Sequence, residues 1–98
     1  MTNAEIAAVF IDIAALLKAK KENIFKIRAY EKAAGYIMDW PASVEQLARD
    51  GRLREVPGVG EAISKKITEL VTTGRLEYYD KLKAGINSPP LKKSLSRA

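Results

Sequence analysis

Apolar residues recur at steps of three and four through most of the first 85 positions, broken by capping residues, prolines and glycines. The first run is Ile6, Val9, Phe10, Ile13, Leu16 and Leu17, one face of a long amphipathic helix. Thr2 and Glu5 fit a capping box at its start: the hydroxyl accepts from the helix backbone and the carboxylate reaches back. The helix closes near Lys18-Ala19-Lys20-Lys21, where lysines complement the dipole and read as a solvated end rather than a binding patch. Asn23 caps a second helix over Ile24 to about Met38. It carries Phe25, Ile27, Ala29, Ala33, Ala34, Ile37 and Met38, the alanines allowing close helix approach. Lys26, Arg28 and Lys32 form its polar side, with Tyr30 one turn after Lys26. Trp40-Pro41 ends it, because the residue before proline avoids the helical region, and Trp40 reads as a core plug at the corner.

Ser43 and Gln46 suggest a second capping box, opening a short helix that Gly51 closes. Leu53 to Val56 is long enough for one helical turn. A further helix runs over about Glu61 to Thr73, with Ile63, Ile67, Leu70 and Val71 as its buried stripe and Gly74 as its left-handed cap. A last helix spans about Glu77 to Ala84 and ends at Gly85. The expected fold is all-α, a compact bundle of five to six short helices. Residues 1–85 are expected to form the folded domain, and 86–98, with Asn87-Ser88-Pro89-Pro90, lysines and serines, a disordered basic tail.

The densest local signal is Leu53 to Thr73, centred on Pro57-Gly58-Val59-Gly60. Pro57 cannot continue a helix with a full set of hydrogen bonds, and two glycines around Val59 permit a tight turn. Backbone N–H groups at the start of the next helix then point outward, an array that suits a phosphate oxygen. A glycine pair alone is weak evidence. Apolar Leu53 and Val56 before it, and Ile63 and Ile67 after it at helical spacing, sharpen it. A tight connection that only packs remains the structural alternative.

Composition narrows the chemistry. The 98 residues suit one domain, with 47% hydrophobic and 30% charged residues in keeping with a soluble globular chain. No run is long enough to cross a bilayer, and the start lacks a signal-peptide pattern. With no cysteine, an intracellular location is the default, cytoplasmic (bacterial nucleoid) or nuclear. The absence of both Cys and His removes the usual zinc sites, Ser-His or Cys-His nucleophile pairs and imidazole catalysis. The formal charge is +5, but Lys92, Lys93 and Arg97 contribute three of those charges, leaving 14 basic against 12 acidic residues in 1–85. Binding to nucleic acid by the folded part therefore depends on where charge is placed.

The stretch around Pro57-Gly58-Val59-Gly60 resembles the helix-hairpin-helix motif of non-sequence-specific DNA-binding proteins. Asn23 to Ala34 is similar to the N-terminal domain of family X DNA polymerases (the 8-kDa, lyase-type domain of the DNA polymerase beta kind). So are the opening helix and Thr73-Gly74-Arg75-Leu76, and the resemblance spans about residues 3–84. It implies a domain that grips gapped or 5′-ended DNA for repair synthesis, through the backbone of Gly58, Val59, Gly60, Ala62 and Ile63. Arg54, Lys65 and Lys66 supply charge, and Lys26 with Tyr30 flanks the strand end. It also implies a monovalent cation, Na+ or K+, bridging the backbone carbonyls of Arg54, Val56 and Val59 to a phosphate. No other cofactor is expected. The implied partners are DNA and, in a full-length protein, a polymerase catalytic domain. The chain is expected to be a monomer with no membrane contact.

Eukaryotic members of that family also remove 5′-deoxyribose phosphate through a lysine Schiff base, and Lys66 falls at the position resembling that lysine. On a helical wheel Lys66 flanks the buried stripe while Lys65 points further into solvent. Partial desolvation or neighbouring cations would activate an amine there, whereas a snorkelling lysine would only contact phosphate. Ala62, Phe25 and Tyr78 depart from the pattern, since lyase-competent members have lysine, histidine and lysine there. Glu61 sits where a bound phosphate would be repelled unless its side chain turns aside. Asp12, Asp39, Asp50 and Asp80 are scattered, so the paired carboxylates of nucleotidyl transfer have no counterpart. Three readings follow: a DNA-binding module of about micromolar or weaker affinity, an abasic-site lyase, or a protein-interaction domain with a structural hairpin.

Overall fold

Thr2 and Glu5 do form the reciprocal cap, the Thr2 hydroxyl accepting from the Glu5 N–H and the Glu5 carboxylate from the Thr2 N–H. They open α1 (Asn3–Ala19) in a computed structural model that describes residues 1–87. Asn23 accepts from the Phe25 N–H and opens α2 (Ile24–Asp39). Asn3 locks the pair. Its amide nitrogen donates to the carbonyls of Trp40 and Ala42, and its oxygen accepts from the Val44 N–H at 2.9 Å. The start of α1 is thereby held to the corner after α2, so the two helices run antiparallel. They share the inner core of Ile6, Phe10, Ile13, Leu17, Ile27 and Ile37, all essentially buried.

Then come α3 (Val44–Arg49), a 3₁₀ turn (Leu53–Glu55), α4 (Glu61–Thr73) and α5 (Glu77–Asn87). The described residues are thus all-helical, with one shared core. Leu53, Val56, Val59, Ile63 and Ile67 are all buried, so the apolar positions on both sides of the glycines converge on that core. Each such side chain contributes about 1.5–3 kcal/mol relative to exposure. Gly74, at φ 78, caps α4 as expected. α5 docks on α1, where Tyr79 donates a hydrogen bond to Asp12.

Several expectations are corrected. Only half of the second capping box forms: Ser43 accepts from the Gln46 N–H, but the Gln46 amide turns to Asp50 at 3.0 Å. On α2, Phe25, Ala29 and Met38 face solvent, while Tyr30 lies in the core at 5% exposure. Tyr30 is stacked between Phe10 and Tyr78, with ring centroids 5.9 and 6.1 Å away. α5 continues through Gly85 to Asn87, because Gly85 lacks the positive φ of a terminating glycine. Residues 88–98 of the expected tail lie outside the described residues. Trp40 is partly buried against the core, as its corner position suggested.

Candidate nucleic-acid interface

The hairpin is a four-residue turn over Val56-Pro57-Gly58-Val59, closed by the Val59 N–H donating to the Val56 carbonyl at 3.1 Å. Proline at the second position and glycine with φ 82 at the third fit a type II turn. Only Gly58 uses the left-handed region. Gly60, at φ −85 and ψ −170, is extended and stands as the N-cap of α4. Among the described residues no side chain caps that helix. Its first internal bond runs from the Ser64 N–H to the Gly60 carbonyl at 2.9 Å, which leaves the N–H groups of Glu61, Ala62 and Ile63 to the exposed end. A Cβ at Gly60 would meet nothing within 4 Å, so the approach to those donors is open.

The hairpin is braced from behind by α2. A Cβ on Gly58 would sit 3.2 Å from Cδ2 of Tyr36 and 3.7 Å from Cα of Ala33, so the small Ala33 admits the turn and the Tyr36 ring covers it. Glu61 does turn aside, pairing with Lys65 at 3.5 Å one turn along. Arg54 is exposed on the 3₁₀ turn just before the hairpin. Of the carbonyls that the family resemblance assigns to a monovalent cation, that of Val56 already accepts the Val59 N–H and keeps one lone pair.

Lys66 is half-buried where Lys65 is exposed, as the helical wheel indicated. Its ammonium lies 4.8 Å from the Tyr78 ring centroid, and that of Lys26 lies 5.6 Å from the same centroid. The two cations from α2 and α4 therefore meet on one aromatic side chain of α5. Tyr78 lies between two shallow depressions. One, of about 330 Å³, is lined by Lys65, Lys66, Glu69, Glu77 and Lys81; the other, of about 240 Å³, by Lys20, Lys81 and Leu82. The acids there are occupied: Glu69 accepts from the Glu77 N–H at 2.9 Å, and Glu77 pairs with Lys81 at 3.1 Å.

Tyr30 does not join this surface. Burial first, and then the neighbouring Tyr78 phenol, raises its pKa well above the ordinary tyrosine value. Its role is to support Tyr78 from beneath. Among the described residues the buried Tyr78 hydroxyl has no hydrogen-bond partner.

Tyr78, Tyr36 and Lys20 are residues of this surface that sequence reasoning did not assign to it. Tyr78 had a local signal as the place where a lysine was expected. Tyr36 and Lys20 are recruited only by packing between elements.

Among the described residues no cluster of three or more acidic side chains could hold a metal ion, and no helix is long and apolar enough to cross a membrane. A family model described as a helix-hairpin-helix domain matches residues 1–76, a span that contains the whole hairpin, α4 and the α1–α2 pair.

Proposed function

The chain belongs to the helix-hairpin-helix domain family, and from that premise we propose that it binds gapped or 5′-phosphorylated DNA through backbone phosphates. Domains of this family are generally non-sequence-specific DNA-binding modules. The observation that carries the reading is the uncapped, open N-terminus of α4 behind the Gly58 turn. One phosphate accepts from the N–H groups of Ala62 and Ile63, with Gly58, Val59 and Gly60 shaping the approach. Arg54 and Lys65 flank it. Lys66 and Lys26, meeting at Tyr78, receive the phosphate at a strand end. The module comprises α1 to α5, and a role in repair synthesis alongside a polymerase catalytic domain accords with the family X resemblance.

Binding, rather than lyase chemistry, is the activity these residues support. It requires only donors and cations, which are present. A lyase requires Lys66 as a free amine, and Ala62 and Tyr78 stand where the lyase-competent family X domains that this chain resembles carry lysines.

The test is titration of the protein with a gapped duplex bearing a 5′-phosphate, followed residue by residue through backbone amide shifts. Gly58 to Ile63, Lys66 and Lys26 are expected to respond together, and more strongly than with intact duplex. A response confined to another surface, with the hairpin unmoved, would overturn the proposal in favour of a structural hairpin.

A further inference from the structure

α1 is apolar on more than the side it buries. Its 17 residues include only three charged ones, Glu5, Asp12 and Lys18. A helix that is apolar all round is ordinarily covered all round. Here α2 covers α1 on one side and α5 on another, and the face between them stays open. At about 100° per residue that face carries Ala4, Ala8, Ile11 and Ala15, all exposed. Ile11, at 53% exposure, is the one large hydrophobic side chain of α1 left so. Beside it runs a shallow groove of about 460 Å³, lined by Ala8, Val9, Ile11, Asp12, Ala15 and Tyr79. The Asp12 carboxylate accepts from the Tyr79 hydroxyl and so brings little free charge to the groove.

We infer that a second copy of this chain docks here, the two α1 helices packing antiparallel about a two-fold axis at Ile11. The face is nearly palindromic about that residue. Ala8 lies three positions before it and Ala15 four after, so Ile11 meets its counterpart and Ala8 of each copy meets Ala15 of the other. A two-fold contact requires this reciprocity, and alanine at both positions lets the helix axes approach to about 8 Å. Charge points the same way. Glu5 stands toward one end of the face, with Lys18 and Lys21 at the other. Antiparallel packing brings the acidic end of each helix to the basic end of its neighbour and opposes the two dipoles. A parallel pair would set like on like, and nucleic acid would meet no cation on α1 before Lys18. One helix face per copy makes a small interface beside the roughly 1,200–2,000 Å² of stable complexes, so the association is weak and depends on concentration. This departs from the monomer expected of the sequence. None of the proposed DNA contacts lies on α1, so the inference stands apart from the DNA-binding reading; together they give a pair with two DNA sites.

The deciding measurement is sedimentation velocity from about 20 µM to about 1 mM protein, the range in which weak interfaces associate. The unmodified protein is expected to pass from monomer toward dimer, and the backbone amide shifts of Ala8, Ile11 and Ala15 to change with concentration. Ile11→Lys, at an exposed position, is expected to stay monomeric throughout with an unchanged melting temperature, while Ile11→Leu associates like the unmodified chain. Orientation is read separately. The chain has no cysteine, so Ala8→Cys and Ala15→Cys chains can be mixed under mild oxidation. The mixed disulfide is expected to outrun both symmetrical ones, because only that pairing brings Cα atoms within about 7 Å. A monomer at every concentration would overturn the second copy as occupant and leave the face to a different protein. Association untouched by Ile11→Lys, or symmetrical disulfides forming as fast as the mixed one, would overturn the pairing. None of these results bears on the hairpin.

Discussion

At the residue scale, the two glycines of the turn have different jobs, and the difference is testable. Gly58 needs its φ of 82, and a β-carbon there would also press on Tyr36 at 3.2 Å. Gly58→Ala is expected to cost about 1–2 kcal/mol from the left-handed backbone alone and to lower the melting temperature by about 5–15 °C, with DNA affinity falling alongside. Gly60 is extended and surrounded by open space. Gly60→Ser supplies the N-cap oxygen that α4 lacks, so calorimetry is expected to show unchanged or slightly raised stability, by a few tenths of a kcal/mol. The new hydroxyl would take the N–H that a phosphate needs, so affinity is expected to fall. If Gly60→Ser bound DNA as well as glycine does, the N–H array would not be the anchor. The turn itself was legible in Pro57-Gly58-Val59-Gly60, because turn chemistry is local. Tyr30 was not. Its place beside Lys26 in the sequence suggested the exposed face, and only the packing of Phe10 and Tyr78 around it puts it inside.

At the element scale, helix starts and the α4 stripe were readable because caps and periodicity act within a few residues. Thr2, Asn23, Ser43 and Gly74 all mark real boundaries. The end of α5 was misread, since a glycine stops a helix only where it takes the left-handed conformation, and Gly85 does not. The docking of α5 on α1 was likewise invisible. It brings Tyr79 to donate to Asp12, with Lys83 resting 4.2 Å from the Tyr79 ring centroid. The hydrogen bond to Asp12, followed by partial burial, pushes the Tyr79 pKa up to about 12. A raised folded-state pKa means that the neutral phenol is favoured by folding. Its contribution is complete below the unfolded value of about 10 and is lost as pH rises from there toward about 12. Denaturant unfolding across that range is expected to show the unmodified protein losing stability faster than Tyr79→Phe, which starts lower at neutral pH by about 1 kcal/mol. The comparison with Tyr79→Phe subtracts lysine titration, which occurs in both. Parallel curves would mean that the Asp12 contact does not hold α5.

At the scale of the whole molecule, the question is how a folded part with so little net charge would favour DNA, as the proposed function requires. Ion pairing answers it by position. Lys18, Arg49, Arg52, Lys65, Arg75 and Lys81 are each matched to a carboxylate. Exposed pairs of this kind add little stability, but they cancel charge locally. Among the described residues, the basic side chains outside such pairs are Lys20, Lys21, Lys26, Arg28, Lys32, Arg54 and Lys66, with Lys83 over Tyr79. All but Lys83 belong to the end of α1, α2, the 3₁₀ turn or α4, the elements that carry the proposed site. Charge count alone could not show this, because pairing is a property of the fold.

The consequence is a salt dependence set by place rather than by net charge. With about three phosphates neutralised, by Lys26, Arg54 and Lys66, the logarithm of affinity is expected to fall with the logarithm of salt at a slope of about −3. That is roughly a fiftyfold loss between about 50 and 200 mM salt. Lys66→Gln and Lys83→Gln remove the same formal charge. The first is expected to make the slope shallower by about one, while the second leaves it unchanged. Equal effects from the two would mean that DNA responds to the overall charge of the protein, and the hairpin-centred surface would lose its claim to be the interface.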